Sequence, residues 1–252
     1  MKISIVTISF NQAKYLRQCI DSILSQTGCD LEYIIVDPGS TDGSRALVES
    51  YGDKIIKVFA PDKGPADGLN QGFKHATGEV YGFINSDDYL LPGALRHINN
   101  YFNTKGLQHF VTGQGYTELA HGGHSKIRPQ PLTTLNMLHR SAVMFQQATF
   151  FPAHAYQEVG GFNINNTTCW DYELFLRFLL RGLKHEVIPQ GVAAFRLHEG
   201  SISGSGRLTE RYLNDLDKLF FEVCGRKRSV TDKALTFLLR VKREVLRRLR
   251  SA

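Results

Sequence analysis

The chain has 252 residues, 42% hydrophobic and 21% charged, a composition typical of a globular protein with one large α/β domain or two small ones. Its four cysteines show no short Cys-x-x-Cys spacing, which argues against a zinc site or a disulfide framework and favours a reducing compartment. No apolar run approaches the roughly 20 residues that a membrane span needs. The first ten residues alternate with Ser and Thr and lack a small-residue cleavage site, so we expect a strand there, not a signal peptide, and a cytoplasmic protein.

The net charge of +6 is unevenly distributed along the chain. Residues 226–252 contain ten Lys or Arg against Asp232 and Glu244, a net charge of about +8, so the first 225 residues carry about −2. The basic character therefore belongs to the C-terminal segment. Because the rest of the chain has no basic patch with interleaved aromatic residues, we do not expect a nucleic-acid partner.

The first 104 residues predict alternating strands and helices. Strands are expected at residues 3–10, 31–37, 55–59 and 79–88. Helices are expected at 15–26, from a cap within residues 40–42 to residue 48, and at 67–75. Strand-loop-helix units spaced in this way predict a parallel sheet with right-handed crossovers. Three of the strands end in polar residues, namely Asn11, Asp37 and the pair Asp87 and Asp88, and ligands of open α/β sheets bind beyond such strand ends.

The adjacent acids Asp87 and Asp88 have two interpretations. Two neighbouring carboxylates repel each other, so a fold keeps them together most readily around a cation, and Mg²⁺ is typically held by one or two carboxylates plus substrate phosphates. In the other interpretation, Asp87 caps the helix expected at residues 92–102.

The sequence changes character after this helix. Residues 110–119 alternate and contain Gly, as in a strand pair near a sheet edge, and a strand at 147–152 and a helix at 153–159 follow. The spacing of His121 and His124 is compatible with a pair of metal ligands. The Gly-Gly between them and the lack of an accompanying acid or Cys argue against a metal site.

A helix expected at 169–180 carries Asp171 in its first turn, either as an acid favoured by the helix dipole or as a general base beside Trp170. Two short strands at 185–189 and 192–197 lead into the Gly- and Ser-rich residues 199–206, which suit a lid over an active site or a passive linker. Two helices, at 208–223 and 230–249, end the chain. The second is basic and amphipathic, which suits an anionic membrane surface or a helix docked on its own domain.

Taken together, these pieces resemble the family-2 glycosyltransferases, inverting enzymes built on the A-type nucleotide-sugar transferase fold. The matching stretches are residues 5–11, 22–26, 35–43, 85–88, 170–173 and 196–198. The resemblance implies a GT-A-like, Rossmann-like α/β fold with a mostly parallel nucleotide-binding sheet flanked by helices, a mixed-sheet acceptor half and C-terminal helices. We expect a glycosyltransferase domain at 1–205, divided into a nucleotide-sugar-binding half (1–104) and an acceptor half (105–205), and a basic helical extension at 206–252.

The family pattern also implies a reaction. A sugar would move from a nucleotide-diphosphate sugar, usually a UDP-sugar, to a hydroxyl of a saccharide or lipid-linked acceptor in polysaccharide or glycolipid synthesis. Mn²⁺ or Mg²⁺ would offset the charge on the departing diphosphate, and a carboxylate would take the proton of the acceptor hydroxyl. The implied substrate contacts are Thr7, Ser9, Asn11, Asp37, Asp67, Asn70, Asp87 and His198. The implied metal ligands are Asp88, Asp87 and His198, and Asp171 is the implied general base.

Two departures from the family pattern bear on metal affinity and base choice: Asn85 and Pro38 stand where many relatives have Asp.

The sequence also has to be compared with two other functions. A nucleotidyltransferase would need a basic phosphate-gripping loop early in the chain, where residues 11–28 offer only Lys14 and Arg17. A non-enzymatic peripheral membrane or interaction module would be organised by the basic C-terminal helix instead.

Overall fold

The structure is a computed structural model that describes residues 1–119, 122–198 and 208–249. Within these residues nine strands form one sheet. In chain order they are β1 (Lys2–Ile8), β2 (Asp30–Val36), β3 (Ile56–Val58), β4 (Val80–Asn85), β5 (Tyr89–Leu90), β6 (His109–Leu119), β7 (His124–Ile127), β8 (Thr149–Pro152) and β9 (Lys184–Leu197). The suggested metal residue His121 and the suggested lid at 199–206 lie outside the described residues.

The described part of the chain also forms nine α-helices. They are α1 (Ala13–Leu24), α2 (Ser44–Glu49), α3 (Pro65–Phe73), α4 (Ala94–Lys105), α5 (Thr134–Leu138), α6 (Ala153–Glu158), α7 (Trp170–Leu180), α8 (Thr209–Cys224) and α9 (Val230–Leu249). Among these, none is both long and apolar enough to cross a bilayer.

The sheet has a parallel half and a mixed half, as the sequence predicts. Its order is β3-β2-β1-β4-β8-β6-β9-β5, with β7 paired to β6. The first four strands are parallel, whereas β8 runs antiparallel to both β4 and β6. Ile8 at the end of β1 pairs with Val36 of β2 and with Asn85 of β4. The residues that follow these three strands therefore emerge at one edge of the sheet.

Helices cover both faces of the sheet because successive residues of a buried strand point to opposite sides. Ile3 and Ile5 of β1 belong to the core that includes α1 and α4, whereas Val6 belongs to the core that includes α3 and α7. Burial of each large apolar side chain contributes about 1.5–3 kcal/mol. A Cβ on Gly72 of α3 would lie 2.5 Å from Cγ1 of Val6, so glycine is what allows α3 to approach the sheet this closely.

The strand β9 differs from the expectation of two short strands. It runs without a break through residues 184–197, but seven of its residues, Val187 to Ala193, oppose only four of β6, Thr112 to Gly115. This irregularity is a β-bulge, and it brings backbones close together. A Cβ on Gly115 would lie 2.0 Å from the Ala193 carbonyl oxygen, so the close approach depends on glycine.

Candidate active site

The tip of β2 holds a buried carboxylate. Asp37 has no exposed surface, and its Oδ1 accepts hydrogen bonds from the backbone N–H groups of Gly39 and Ser40 at 2.8 and 2.7 Å. Ser9 follows the neighbouring strand and donates its N–H to the Val36 carbonyl at 2.9 Å. Oδ2 of Asp37 and Oγ of Ser9 are buried and have no hydrogen-bond partner within the described residues. An unpaired buried polar atom costs about 1–3 kcal/mol, so a group that reached and bonded these two atoms would relieve that cost.

A guanidinium lies beside the same carboxylate. Arg45 donates from Nη2 to the Asp37 carbonyl oxygen at 3.2 Å and lies 3.6 Å from Oδ1. Its position is supported by Phe59, whose ring centroid is 4.5 Å from the guanidinium carbon. The positive charge offsets part of the cost of burying Asp37. Arg45 was not among the predicted site residues, because it lies inside a helix and eight residues from the acid that it supports.

Asn11 connects the loops that follow β1 and β2. Its φ of 53° is in the left-handed region, which Asn adopts more readily than most residues. Its N–H donates to Oγ of Ser40 and its Oδ1 accepts the N–H of Thr41, both at 2.9 Å. Asn11 therefore holds these loops in register, and its side-chain oxygen is already used by the protein.

Thr7 lies below this edge and not at it. The residue is fully buried, and its Oγ1 accepts a hydrogen bond from the Tyr33 hydroxyl at 3.1 Å and lies 3.9 Å from Sγ of Cys19. The structure thus places Thr7 in the core beneath the strand ends, and its contact with a nucleotide stays a prediction. The cause is strand alternation, which turns this side chain towards α1.

Protein groups bond to one oxygen of Asp67 and to both ends of the Asn70 amide. Asp67 accepts the N–H of Lys63 at 2.9 Å, an interaction that closes the loop before α3. Asn70 accepts from the Phe162 N–H and the Tyr156 hydroxyl, at 2.9 and 2.5 Å, and donates to the Phe162 carbonyl at 2.9 Å. Asn70 therefore links α3 to the loop after α6, and direct contact with a substrate would require it to give up these bonds.

The tip of β4 lies against the end of β9 because the short strand β5 pairs with β9. Tyr89 opposes Ala194, which brings Asp87 and Asp88 next to Arg196 and His198. Oδ2 of Asp87 lies 3.0 Å from Nε2 of His198. The structure therefore brings together two of the three predicted metal ligands, Asp87 and His198, through the strand β5, which the sequence did not predict.

The two acids have different environments. Asp88 has no exposed surface; its Oδ1 accepts the Arg196 N–H at 2.8 Å and its Oδ2 accepts the Gln147 amide at 3.0 Å. Burial and the neighbouring Asp87 carboxylate raise the pKa of Asp88 well above its ordinary value. Asp88 therefore supports the tip from below, whereas the half-buried Asp87 presents its carboxylate to His198.

Arg196 organises this cluster and was not predicted as a site residue. Its guanidinium donates to the Asp87 carbonyl at 2.7 Å and to Oε1 of Gln18 at 2.6 Å. It also lies 4.8 and 5.3 Å from the ring centroids of Tyr15 and Tyr89. Residues 196 and 198 lie on the same face of a strand with period two, and this spacing was the sequence signal that could have identified Arg196 together with His198.

The β4 tip places two of the predicted metal ligands side by side. Asp87 and His198 offer a carboxylate oxygen and an imidazole nitrogen 3.0 Å apart. In the described ranges, no three His, Cys, Asp or Glu side chains are gathered as a metal site. A cation at this tip would take its remaining ligands from substrate phosphates and water, as Mg²⁺ commonly does. The oxygens of Asp88 face Arg196 and Gln147, so of the three predicted metal ligands Asp87 and His198 are the two that lie together, and the ligand roles stay predictions.

Asp171 lies in the first turn of α7 and is half-buried. Its Oδ1 accepts the N–H of Tyr172 at 2.8 Å. Burial raises the pKa of Asp171 to about 6, which makes it a stronger base than an ordinary Asp near neutral pH. The preceding Trp170 packs on Phe83 and Phe162, with ring centroids 5.5 and 5.2 Å apart. Since Phe83 belongs to β4, this packing connects the start of α7 to the strand that precedes Asp87 and Asp88.

Comparison with known proteins gives related sequences over much of the chain. Residues 4–154 match the family model described as Glycosyl transferase family 2. An uncharacterized glycosyltransferase of Nostoc is 41% identical over 118 residues, covering 44% of this chain and 37% of the relative. One of Rickettsia typhi is 27% identical over 229 residues, covering 86% and 68%, and one of Mycobacterium tuberculosis is 30% identical over 186 residues, covering 71% and 69%. The chain thus spans 37 to 69% of the length of these curated relatives.

Solved structures share the fold at low sequence identity. TarS 1-349 of S. aureus, in complex with UDP-GlcNAc, has a TM-score of 0.72 and 18% identity, covering 96% of this chain and 71% of TarS. The mannosyltransferase PcManGT of Pyrobaculum calidifontis, in complex with GDP-Man and Mn²⁺, has a TM-score of 0.69 and 14% identity, covering 94% and 68%. These likenesses confirm the predicted GT-A-like fold, with its mostly parallel sheet, flanking helices and C-terminal helices.

Proposed function

Because the chain belongs to glycosyl transferase family 2, we propose that it moves a sugar from a nucleoside diphosphate sugar to an acceptor hydroxyl, with inversion at the anomeric carbon. The observation that carries this proposal is the buried Oδ2 of Asp37, which lies without a partner among the described residues at a strand end where such folds bind ligands. The family match also confirms the expectation of an enzyme over a purely non-enzymatic module.

The β2 tip would bind the base of the donor. Uracil carries one ring N–H between two carbonyl groups, and Asp37 Oδ2 would accept that hydrogen while Ser9 Oγ contributes a second polar contact. The complexes of TarS with UDP and UDP-GlcNAc support a nucleoside diphosphate sugar, and we propose a uridine nucleotide for this chain. Asn11, Asp67 and Asn70 would act indirectly by ordering the surrounding loops.

The β4 tip would bind the diphosphate. We propose that Asp87 and His198 hold Mn²⁺ or Mg²⁺ there, a proposal that the Mn²⁺ in the PcManGT complex supports. A bound divalent cation offsets the negative charge that develops on the departing diphosphate. Arg196 would fix the Asp87 backbone, and Asp88 would anchor the turn through Arg196 and Gln147.

Asp171 would be the general base. The acceptor oxygen attacks the anomeric carbon as the bond from that carbon to the diphosphate oxygen breaks, and the carboxylate of Asp171 takes the hydroxyl proton. The products are the glycoside, the nucleoside diphosphate and a protonated Asp171, which returns its proton to water. Attack from the side opposite the leaving group inverts the anomeric configuration.

We also propose the setting of the reaction. The acceptor would be a saccharide or a lipid-linked saccharide of a polysaccharide or glycolipid pathway, and the enzyme would act in the cytoplasm, peripherally at the inner face of a membrane. The division into residues 1–104 for the donor, 105–205 for the acceptor and 206–252 as a basic extension belongs to the same proposal.

A screen of nucleotide sugars by thermal unfolding tests the donor proposal. A ligand that binds only the folded state stabilises it by RT ln(1 + [L]/Kd), about 2.7 kcal/mol at one hundred times Kd. We expect a UDP-sugar to raise the Tm in the presence of Mn²⁺ and the Tm gain to fall when Mn²⁺ is chelated. An NMR assay of the product with an accepted donor then reports the anomeric configuration. Absence of stabilisation by every nucleotide sugar, or retention of configuration, would overturn the proposal.

A further inference from the structure

The C-terminal helix α9 turns apolar side chains away from the rest of the protein. Val230, Phe237, Leu238, Val241 and Val245 are between 44% and 80% exposed. Their spacing places them on one side of the helix, and we call this row the apolar stripe. An amphipathic helix packed on its own domain normally buries such a row, so the outward direction requires an explanation.

Polar contacts hold α9 in this orientation. Arg243 donates from Nη1 to the Ser141 carbonyl at 2.8 Å, and Arg240 donates from Nε to the Arg140 carbonyl at 3.1 Å. At the start of the helix, Asp232 accepts hydrogen bonds from Arg226. The polar side of α9 therefore faces the body, and the apolar stripe faces outward as a consequence.

A cationic cavity borders the apolar stripe. Its volume is about 740 Å³, and α8, α9 and the residue Arg140 contribute to its walls. The cavity lining contains the acids Asp217 and Glu222 and six cations: Arg140, Lys218, Lys227, Arg228, Lys233 and Arg240. Two of these six cations, Lys233 and Arg240, lie on α9 four residues before and three residues after Phe237. Residues at these spacings are neighbours on a helix surface, so the cavity and the stripe are adjacent.

Two arginines of the cavity lining share one carboxylate. Arg140 and Arg228 both pair with the single carboxylate of Asp217. Nε of Arg140 and Nη1 of Arg228 are buried and have no hydrogen-bond partner in the part of the chain that the structure describes. Converging guanidinium groups with unused donors fit the oxygens of a phosphate group.

We propose that the apolar stripe and the cationic cavity together dock the protein on a bilayer that contains anionic phospholipid. The stripe lies in the interface among the upper acyl carbons, and the cavity binds a lipid phosphate. The charge of this segment supports the assignment, because residues 226–252 carry about +8 while the preceding 225 carry about −2. A basic amphipathic helix with an exposed apolar side is the form that binds such surfaces. This inference is independent of the proposed donor site.

Vesicle flotation with the full chain tests the docking surface. We expect binding to vesicles of phosphatidylglycerol and phosphatidylcholine, little binding to phosphatidylcholine alone, and weaker binding at high salt. The double variant Phe237→Gln with Val241→Gln should lower the affinity for the anionic vesicles about tenfold or more. Leu180→Gln is the matched control, because Leu180 is 47% exposed at the end of α7, and it should bind like the unchanged protein.

A second pair of variants tests the cavity. Lys218→Gln with Lys233→Gln should weaken binding to anionic vesicles, whereas Lys54→Gln with Lys105→Gln, the same charge change outside the cavity, should weaken it less. All variants should keep their far-UV circular dichroism and their stabilisation by donor nucleotide, which separates docking from folding and from donor binding.

Three outcomes would overturn the proposal. The first is equal vesicle binding by the stripe variant and the unchanged protein. The second is no vesicle binding together with stabilisation by inorganic phosphate that the cavity variants lose, which would assign the cavity to free phosphate. The third is no vesicle binding together with a dimer in sedimentation that the stripe variant abolishes, which would assign the stripe to a second copy of the chain.

Discussion

The tips of β2 and β4 each carry a fully buried Asp, but the protein uses the two carboxylates differently. At β2, Asp37 leaves Oδ2 without a partner in the described residues. At β4, both oxygens of Asp88 accept hydrogen bonds from Arg196 and Gln147, and the half-buried Asp87 beside it meets His198. An acid at a strand end is therefore a candidate ligand contact only if its neighbours leave it an oxygen.

This difference distinguishes an acid that would contact a ligand from an acid that stabilises the surrounding structure. Asp37 is proposed to touch the nucleotide, Asp87 to touch the metal, and Asp88 to hold the turn that carries Asp87. Asp171 belongs to neither tip, since it starts α7 and is connected to β4 through the packing of Trp170 on Phe83. Variants of the four acids should therefore fail in four distinguishable ways.

The largest effect is expected from Asp171→Asn, because it removes the proposed base and leaves both tips intact. General-base catalysis is worth about 10²–10⁴ in rate, so kcat should fall by that factor while the Kd of the donor changes little. Steady-state kinetics and calorimetry measure the two quantities. A variant that keeps most of its kcat would assign the base to another residue.

The pH dependence sharpens the same assignment. Because burial raises the pKa of Asp171 to about 6, kcat/KM of the unchanged enzyme should fall below pH 6 as the base becomes protonated. The folded protein binds this proton more tightly than the unfolded chain, so this group lowers stability as pH rises from about 4 to about 6. Asp171→Asn should therefore be at least as stable as the unchanged protein at pH 7, which thermal unfolding would show.

Asp87→Asn should reduce metal-dependent activity by about a hundredfold, since it weakens a proposed ligand to the cation. The added amide also alters the pairing with His198. Calorimetry with UDP in the presence and absence of Mn²⁺ should show that the variant has lost most of the gain in affinity due to the metal. An unchanged gain would place the cation elsewhere and would remove the proposed difference between Asp87 and Asp88.

Asp88→Ala should act on folding, because it leaves the Arg196 N–H and the Gln147 amide without their buried acceptor. Each unpaired group costs about 1–3 kcal/mol, so the free energy of unfolding should fall by at least that amount. Asp88→Asn is the matched variant. It keeps an acceptor for Arg196 and resembles the protonated acid that burial favours, so it should lose less stability in urea unfolding. If Asp88→Asn abolished metal-dependent binding without destabilising the protein, Asp88 would be a ligand and the comparison would fail.

The smallest effect is expected from Asp37→Asn, which replaces one of the two carboxylate oxygens with an NH₂ group and removes the negative charge. Loss of one charged hydrogen bond to a base should raise the Kd of UDP about tenfold, equivalent to about 1.4 kcal/mol. The variant Asp53→Asn, which makes the same change at an exposed acid, should bind UDP normally. Equal affinities of the two variants would show that the β2 tip does not bind the nucleotide.

The parallel half of the fold could be predicted from the sequence because its strands are rich in β-branched and aromatic residues and are separated by turns and helices at regular spacing. β5 could not be predicted, since two residues contain no periodicity and their pairing partner lies more than 100 residues away, at Ala193 and Ala194. β9 looked like two strands because Pro189 and Gly191 interrupt it. The bulge against β6 allows one strand to continue through that interruption.

The candidate site shows the same limit. The sequence identified which acids follow strands, because that depends on local order alone. It did not identify which of them are satisfied, because the partners of Asp88 lie 59 and 108 residues away along the chain. The sequence likewise did not show that Thr7 and Asn70 bond to other protein groups, because their partners are set by packing between distant elements.

The uneven pairing of β9 has a consequence for how such a chain can change during evolution. Seven residues of β9, Val187 to Ala193, oppose four of β6, so β9 carries three extra residues there. Because this number is odd, it sets which face each later residue of β9 points to. Deleting or inserting one residue there would turn Arg196 and His198 to the opposite face at once, whereas a change of two would preserve both. Lineages that vary in this segment should therefore differ in length by even steps.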